Sequence, residues 1–330
     1  GVIENKYKII IGARSAVFSP IKNLGLIVVD EEQESSFRQE SPSPRYNARD
    51  VALIRGKKSN ALVLLSSATP SLETYYNCMV NKIRYLSLER RFGRSKYPEV
   101  QLVNMNDEQS ETGRKNLVVS SLLQKKIEDR LNKKEQIILI LNRRGYSPII
   151  RCLKCENIVC CTYCEIPMTY HKKNLKLICH LCGIKTKIIK KCKSCHSNSI
   201  KYMGAGTQKI ESIISNIFPE ARISRLDTDV SQNNKKLNEI LQSFYNRGID
   251  ILIGTQMIAK GLDFPNATLV GILNADIGLS IPDFRSEERI FQLLYQASGR
   301  SGRGTISGEV IIQTFQSKNQ KIYFGISCSS

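Results

Sequence analysis

Residues 152–195 read CLKCENIVCCTYCEIPMTYHKKNLKLICHLCGIKTKIIKKCKSC and contain four Cys-x-x-Cys pairs. A gap of two residues lets one tight turn present two thiolates, and Zn²⁺ prefers four thiolates in a tetrahedron. Eight thiols at this spacing therefore predict two zinc sites. The pairs are Cys152/Cys155, Cys161/Cys164, Cys179/Cys182 and Cys192/Cys195.

The spacing of the four pairs leaves three ways to combine them into two sites. The gaps between successive pairs are five, fourteen and nine residues. The fourteen-residue gap suits a ribbon that closes on itself, which favours a nested order with the second pair joined to the third and the first to the fourth. Cys160 is an alternative ligand to its neighbour Cys161. A complete set of eight cysteines makes histidine ligands unnecessary, although three histidines lie nearby: His171, His180 and His196.

Composition limits the class of protein. With 330 residues, 41% of them apolar, the chain can bury a substantial core in two domains or in one domain with an insertion. No apolar run approaches the roughly 18 residues of a membrane span, and no secretory signal is present. Cysteines paired as knuckles indicate a reducing cytoplasm. The net charge of +19 favours a nucleic-acid partner, although a Lys-rich composition from an AT-rich genome would also raise it.

The segments on both sides of the cysteine block alternate between short apolar runs and amphipathic helices. Continuous β-branched runs of this length are typical of strands buried on both faces of a parallel sheet. The alternation predicts doubly wound α/β sheets with function at the carboxyl ends of the strands. The predicted strands are Lys8–Ile11, Leu24–Val29, Ala61–Leu65, Gln136–Leu141, Arg222–Leu226, Asp250–Gly254 and Thr268–Leu273.

Chemistry-bearing residues follow two of these strands. Asp30-Glu31-Glu32-Gln33 comes directly after an apolar strand, where Asp30 would hold Mg²⁺ beside a nucleotide and Glu31 would polarise the attacking water. A solvated acidic loop is the alternative. The sequence Ser67-Ala68-Thr69-Pro70 follows the next strand, and its hydroxyl groups could exchange hydrogen bonds between nucleotide states.

The second half of the chain carries a complementary set. A glycine-rich loop runs from Gly254 to Pro265, and the run QASGRSGR from Gln296 to Arg303 ends a helix. Arg300 and Arg303 are either helix-end charges that complement the dipole or arginine fingers that reach a γ-phosphate.

Taken in order, the motifs D-E-E-Q, S-A-T-P, L-N-R-R-G-Y, G-T-Q-M-I-A-K-G and Q-A-S-G-R-S-G-R resemble those of superfamily 2 helicases. The eight-cysteine block between the third and fourth closely resembles the PriA family (primosomal protein N′). The likeness runs from Ile10 to about Thr314. It implies a bacterial ATP-dependent 3′–5′ DNA helicase that recognises stalled or abandoned replication forks and restarts replication. The implied location is the cytoplasm, in association with the nucleoid.

The resemblance also implies cofactors, partners and residue roles. Two Zn²⁺ in the nested order and ATP with Mg²⁺ are the expected cofactors; forked and single-stranded DNA, primosome proteins and single-stranded DNA-binding protein are the expected partners. Catalytic roles fall on Asp30, Glu31, Arg300 and Arg303, and nucleotide contacts on Gly261, Asp263 and Gln296. Coupling between nucleotide and DNA falls on Gln33, Ser67, Thr69, Phe37 and Tyr46, the last two in a loop that senses single-stranded DNA in relatives.

The implied fold has two RecA-like P-loop NTPase domains, the first incomplete, and an inserted two-zinc module. The predicted ranges are 1–115 for the remainder of the first domain, 116–150 for the start of the second, 151–201 for the zinc module, 202–315 for the rest of the second domain and 316–330 for a tail.

Three departures from the family pattern matter. The chain has no G-x-x-x-x-G-K-[ST] loop to hold phosphates, it has Gln33 where relatives usually have His, and it has no Trp. We therefore expect an internal fragment whose own ATPase activity is absent. The alternative is a truncated, inactive zinc-containing module for DNA binding or primosome assembly. A zinc-ribbon RNA-binding or translation factor is supported by the knuckles and the charge alone.

Overall fold

The structure, a computed structural model, divides into two compact units, Gly1–Leu88 and Glu89–Ser330. The residues that it describes are 2, 4, 6–39, 41–88, 98–113, 117–141, 149–152, 154–155, 157, 159–165, 168–171, 176–179, 182–189, 191–203, 207–226, 234–255, 258, 264–278, 285–299 and 308–315. Among these residues, no helix has the length and apolar character needed to cross a membrane.

The first unit is built on two parallel strands. It contains β1 (Leu26–Asp30), β2 (Arg38–Gln39), β3 (Tyr46–Asn47), α1 (Ala48–Ser59), β4 (Leu62–Ser66) and α2 (Leu72–Met79), with 3₁₀ turns at Arg14–Phe18 and Ser35–Phe37. Strands β1 and β4 pair in register, so that Asp30 lies opposite Ser66 at their carboxyl ends. The loops that leave these two ends are therefore neighbours.

Helix α1 packs closely on β4 because its buried face is made of small residues. Ala48, Ala52 and Gly56 are four residues apart and all buried. A Cβ atom added at Gly56 would lie 2.2 Å from the Cγ2 of Val63, so only glycine permits this approach. The side chain of Asn47 accepts a hydrogen bond from the backbone N–H of Arg49 and caps the helix.

Two expectations about the first unit are wrong. Residues 8–11 form no strand, and the side chains of Ile9 and Ile11 are 80% and 94% exposed. The predicted burial of both strand faces also fails, because within this unit one face carries Leu26, Val28, Leu62 and Leu64 at 46–70% exposure. Apolar composition predicted the strands at 24–29 and 61–65 but not which face would be covered.

The second unit contains a six-stranded parallel sheet in the order β12-β13-β6-β14-β15-β5. Its strands are β5 (Glu99–Asn104), β6 (Gln136–Ile140), β12 (Ile223–Leu226), β13 (Ile251–Gly254), β14 (Ala267–Ile272) and β15 (Glu309–Thr314). Its helices are α3 (Met105–Thr112), α4 (Ser121–Asn132), α5 (Thr207–Ile217), α6 (Asn234–Tyr245) and α7 (Ser286–Ser298).

Both faces of this sheet are buried, as the continuous apolar runs predict. Alternate residues of β6 enter two separate cores. Ile138 and Ile140 pack with Phe244 of α6 on one face, and Ile137 and Leu139 pack in a second cluster on the other. The doubly wound arrangement predicted from the sequence is therefore present in this unit.

Strand β5 lies at the edge of this sheet and pairs with β15. The sequence placed residues 99–104 in the first domain, so that prediction ends the first domain too late. Pairing of strands more than 200 positions apart leaves no local signal that would have shown this. The predicted tail, 316–330, lies outside the described residues.

Between β6 and α5 the chain forms a separate five-stranded antiparallel sheet in the order β10-β9-β8-β7-β11. Its strands are β7 (Ile149–Cys152), β8 (Thr169–His171), β9 (Lys176–Ile178), β10 (Lys185–Lys187) and β11 (Ile200–Met203). Because β7 and β11 pair with each other, the chain leaves and returns at neighbouring positions. The cysteine block is therefore an inserted module whose first and last strands are neighbours.

A fully buried glutamine joins the end of β15 to its surroundings. The Oε1 of Gln313 accepts a hydrogen bond from the backbone N–H of Ser120 at 2.8 Å, and its Nε2 donates to the carbonyl oxygens of Val118 at 2.8 Å and Leu273 at 3.1 Å. All three partners are backbone groups, and the bonds with Ser120 and Leu273 are buried, where an unpaired backbone group would be costly.

We predict that Gln313→Leu lowers the free energy of unfolding of the second unit by about 3 kcal/mol, because three backbone groups, two of them in buried hydrogen bonds, lose their partner. Urea unfolding followed by circular dichroism measures the change. Gln124→Leu, on the exposed side of α4, is the control and should change stability by less than about 0.5 kcal/mol. Equal stability of the two variants would contradict the assigned role.

Candidate nucleotide and metal sites

The eight knuckle cysteines form two groups of four. Cys152, Cys155, Cys192 and Cys195 make one group and Cys161, Cys164, Cys179 and Cys182 the other, and within each group the sulfur atoms lie within 4.8 Å of one another. This is the nested order expected from the spacing. The pairing of β7 with β11 brings the first and fourth knuckles together. The antiparallel pairing of β8 with β9 does the same for the second and third.

Among the described residues, the same closing hydrogen bond is found at the second, third and fourth knuckles. The residue after the second cysteine donates its backbone N–H to the carbonyl of the first, at 3.0 Å for Glu165, 2.8 Å for Gly183 and 3.0 Å for His196. All three residues have a left-handed backbone, with φ of 56°, 75° and 55°. His196 is exposed and serves this turn, and it belongs to neither cysteine group.

The donor set fits Zn²⁺. The Sγ–Sγ distances are 3.5 Å for Cys152–Cys195 and for Cys155–Cys192 and 3.7 Å for Cys161–Cys182. A disulfide needs about 2.05 Å. Four sulfurs about 2.3 Å from a tetrahedral ion lie close to the observed separation. Cys160 is exposed and belongs to neither group, so the alternative ligand receives no support.

The backbone around the first group favours thiolate. Amide N–H groups of Cys195 and Ser194 lower the pKa of the Cys192 thiol to about 6. In the second group, contact with the Cys182 thiol and burial raise the pKa of Cys164 to about 12. Four adjacent thiols resist ionising together, and a bound cation removes that repulsion by holding all four as thiolates.

Asp30 and Glu31 lie at the end of β1. The Oδ1 of Asp30 accepts hydrogen bonds from the Oγ of Ser66 at 2.5 Å and from the backbone N–H of Glu31 at 3.0 Å. Glu31 has a φ of 51°, in the left-handed region that most residues avoid. Its carbonyl accepts from the N–H of Glu34 at 2.8 Å, and the next residue, Glu32, donates its N–H to the carbonyl of Ser66 at 3.1 Å. Hydrogen bonds thus connect the turn to the ends of both β1 and β4.

Gln33 links the carboxylate of Glu31 to the loop after β4. Its Nε2 donates to Oε2 of Glu31 at 2.6 Å, and its Oε1 accepts from Oγ of Ser67 at 2.5 Å. Ser67 Oγ in turn accepts from the backbone N–H of Thr69 at 2.9 Å. Three residues predicted to couple nucleotide and DNA are therefore joined in one hydrogen-bonded chain. The Oγ1 of Thr69 is buried and has no hydrogen-bond partner within the part of the chain that the structure describes.

Sequence reasoning missed the role of Glu32. Its side chain is 1% exposed and forms an ion pair with Arg49 at 3.1 Å. Its Oε1 accepts from the N–H of Ser71 at 2.7 Å, and Oε2 accepts from Oγ1 of Thr74 at 2.9 Å. Burial lowers the pKa of Arg49, but hydrogen bonds to Glu32 and Asp50 outweigh it and raise that pKa. Nothing in an acidic triplet distinguishes the buried carboxylate from the exposed ones.

The aromatic residues of the first unit have different surroundings. The ring of Tyr46 is half-buried, packs edge-on against Phe18 at 5.0 Å and lies 5.7 Å beneath the guanidinium of Arg14. Phe37 ends a 3₁₀ turn and is also half-buried. Phe18, which the sequence did not single out, is 56% exposed. It is therefore the ring of this cluster most open to a stacking base.

Most predicted residues of the second half lie outside the described residues: Gly261, Asp263, Arg300 and Arg303. Gln296 lies on α7 and is 8% exposed. At the end of β13, a Cβ on Gly254 would meet the carbonyl oxygen of Leu226 at 2.6 Å, so a glycine is needed where the glycine-rich loop begins.

One family model and one solved structure are similar to the chain. Residues 173–305 match the family model of the helicase conserved C-terminal domain, which assigns the parallel sheet of the second unit to the RecA-like α/β fold. The structure of RecG bound to a three-way DNA junction has a TM-score of 0.46 and 15% identity, covering 94% of this chain and 30% of that chain.

Two curated relatives are similar along almost the whole chain. Replication restart protein PriA of Bacillus subtilis (strain 168) is 44% identical over 97% of the chain and 39% of its own length. The protein of the same name from Rickettsia felis is 41% identical over 97% of the chain and 49% of its own length. The chain thus spans less than half the length of the relatives that it matches. With this identity, and with helicase motifs and paired cysteine knuckles in order, the chain belongs to the PriA family of replication restart proteins.

Proposed function

We propose that the chain is the motor segment of an ATP-dependent DNA helicase that restarts replication at stalled forks. The observation that carries the proposal is the hydrogen-bonded chain from Glu31 through Gln33 to Ser67. It connects a carboxylate at one strand end with hydroxyl groups at the next, as coupling of hydrolysis to movement requires. The name of the two relatives, replication restart protein PriA, supports the role in replication restart.

The residues have distinct parts in hydrolysis. Mg²⁺ bound with ATP would neutralise charge on the transferred phosphoryl group. Asp30, held by Ser66, would bind that ion, and Glu31 would accept a hydrogen bond from the attacking water. Gln33 restrains the Glu31 carboxylate at 2.6 Å, which fixes the orientation of the base. Arg300 and Arg303 would stabilise the charge of the transition state, with Gly261, Asp263 and Gln296 at the nucleotide.

The proposal extends to substrates and partners. Single-stranded and forked DNA, 3′–5′ movement, primosome proteins and single-stranded DNA-binding protein form part of it, as does a location in the cytoplasm beside the nucleoid. The net charge of +19 supports a polyanionic substrate. The first unit would contribute to a first RecA-like domain, and the parallel sheet of the second unit, which includes β5, would form part of a second.

A second candidate is a non-catalytic module for DNA binding or primosome assembly. The absence of G-x-x-x-x-G-K-[ST] from residues 1–330 favours it, because that loop supplies the amides and the lysine that hold phosphates. The two candidates differ in whether nucleotide is hydrolysed by the full-length gene product.

We predict that the full-length gene product hydrolyses ATP faster with single-stranded DNA, and that Glu31→Gln lowers the stimulated rate about 100-fold through loss of the general base. Phosphate release measures both. Residues 1–330 alone should give no turnover, and Glu220→Gln, an exposed control, should behave as the wild type. Turnover by residues 1–330 that disappears with Glu31→Gln would refute the expected inactivity. If single-stranded DNA does not stimulate ATP hydrolysis by the full-length gene product, the second candidate is favoured.

Each cysteine group, we further propose, holds one Zn²⁺. The first group includes Cys152 at the end of β7, and Cys161 and Cys179 of the second group belong to the small core of the module, which includes Ile150, Met168 and Leu177. A core of this size rarely stabilises a module without a metal ion.

Native mass spectrometry of the chain should show two zinc ions. Cys152→Ser and Cys161→Ser should each retain one ion, because each removes a ligand from a different group. Cys160→Ser, which changes an exposed thiol outside both groups, should retain two. One ion in the unaltered chain would overturn the nested assignment.

For DNA binding, Phe18→Ala should raise the Kd for single-stranded DNA about tenfold, because a stacked base contributes about 1–3 kcal/mol. Fluorescence anisotropy with a labelled oligonucleotide measures the affinity. The matched control is Tyr245→Ala, which removes a 60% exposed ring from α6. If both variants weaken binding equally, Phe18 has no specific role.

A further inference from the structure

Glu32 is a buried carboxylate that the hydrolysis mechanism does not use. Its two oxygens receive hydrogen bonds from Arg49, from the backbone and side chain of Ser71, and from Thr74, at 2.7–3.1 Å. An isolated buried charge would be strongly unfavourable, and pairing with Arg49 makes it tolerable. The group formed by these four residues is called the Glu32 clamp below.

The Glu32 clamp joins three segments that carry different parts of the candidate site. Glu32 directly follows Glu31 in the turn after β1. Arg49 lies in the first turn of α1, three residues after Tyr46 of β3. Ser71 caps α2 and follows closely on Ser67 and Thr69. The Glu32 clamp therefore connects three parts of the first unit: the aromatic segment, residues 35–47 with Phe37 and Tyr46; the turn after β1; and the loop after β4.

We propose that Glu32 is a positioning residue that transmits displacement of the segment 35–47 to Glu31. The proposal rests on the helicase function proposed above, because it assigns the regulation of the same site. Arg49 has little freedom, since its Nη1 also donates to Oγ of Ser71 at 2.6 Å. A movement of the first turn of α1 therefore either displaces Glu32 or breaks a buried ion pair.

The backbone beside the clamp makes Glu31 responsive to such a movement. Its left-handed φ of 51° is maintained by the surrounding hydrogen bonds. Glu32 is the next residue, so a shift of its side chain acts directly on that turn. The clamp thus supplies a route from the aromatic segment to the carboxylate besides the one through Gln33 and Ser67.

The test compares Glu32→Gln, Arg49→Met and the double variant in the full-length gene product. An amide at position 32 presents a donor to either Ser71 N–H or Arg49 and so breaks the clamp. We expect the ratio of DNA-stimulated to basal ATP hydrolysis to fall about tenfold in each variant, a usual size for coupling between sites. The double variant should fall no further than either single one, because both remove the same link.

Asp50→Asn is the matched control. Asp50 also pairs with Arg49, at 3.0 Å, but its side chain is 56% exposed. It should leave the stimulation ratio unchanged, since exposed pairs contribute little. Equal losses of basal and stimulated rates in Glu32→Gln would show a merely structural role and overturn the proposal. An unchanged ratio would overturn it as well.

Hydrogen exchange on residues 1–330 separates failure of the clamp from failure of the proposed function. Glu32→Gln should speed amide exchange at Ser71 and in residues 46–49 together, with no such change in Asp50→Asn. If DNA does not stimulate ATP hydrolysis by the wild type, the proposed helicase function is wrong. Amide hydrogen exchange would still show whether the clamp connects Ser71 with residues 46–49. Faster exchange at Ser71 alone would contradict a link to the aromatic segment.

Discussion

The candidate site of the first unit depends on the parallel register between β1 and β4. Because parallel strands end at the same edge of a sheet, the pairing of Asp30 with Ser66 sets the loops that follow side by side. All contacts between the two motifs follow from this register, including those of Gln33 with Ser67 and of Glu32 with Ser71. A slip of one residue would turn Asp30 to the opposite face and separate them.

The parallel sheet and the cysteine module of the second unit are stabilised in different ways. Its parallel sheet is apolar on both faces and needs no ligand, since Ile137 to Ile140 are fully buried. The cysteine module has a small core to which Cys161 and Cys179 themselves contribute. Pairing of β7 with β11 fixes where the module begins and ends, whereas the cysteine groups fix its interior. If the cysteine groups hold zinc as proposed, loss of the metal would therefore affect the module before the sheet.

Periodicity and spacing predicted the features that arise from neighbours in sequence. These include the buried strands around Gln136 and Asp250 and the nested grouping of the cysteines. The features that were missed depend on distant partners: β5 pairs with a strand about 210 positions later, and Glu32 pairs with a residue of the next helix. The strand prediction for residues 8–11 was wrong for a related reason, because its apolar residues have no sheet partner among the residues that the structure describes. Composition shows that a residue is apolar or charged, whereas the residue that it contacts is determined by the fold.

The glutamine at position 33 has a physical consequence for the link between Glu31 and Ser67. An amide donates from Nε2 and accepts at Oε1 at the same time, and it does not ionise. A histidine at this position could make the same two bonds in one tautomer, but it would gain a proton near pH 6.5 and lose its acceptor. The bond from Ser67 would then break, while the bond to the Glu31 carboxylate would strengthen. With Gln33 both bonds persist through that range, so the link between the two strand ends is independent of protonation at this position.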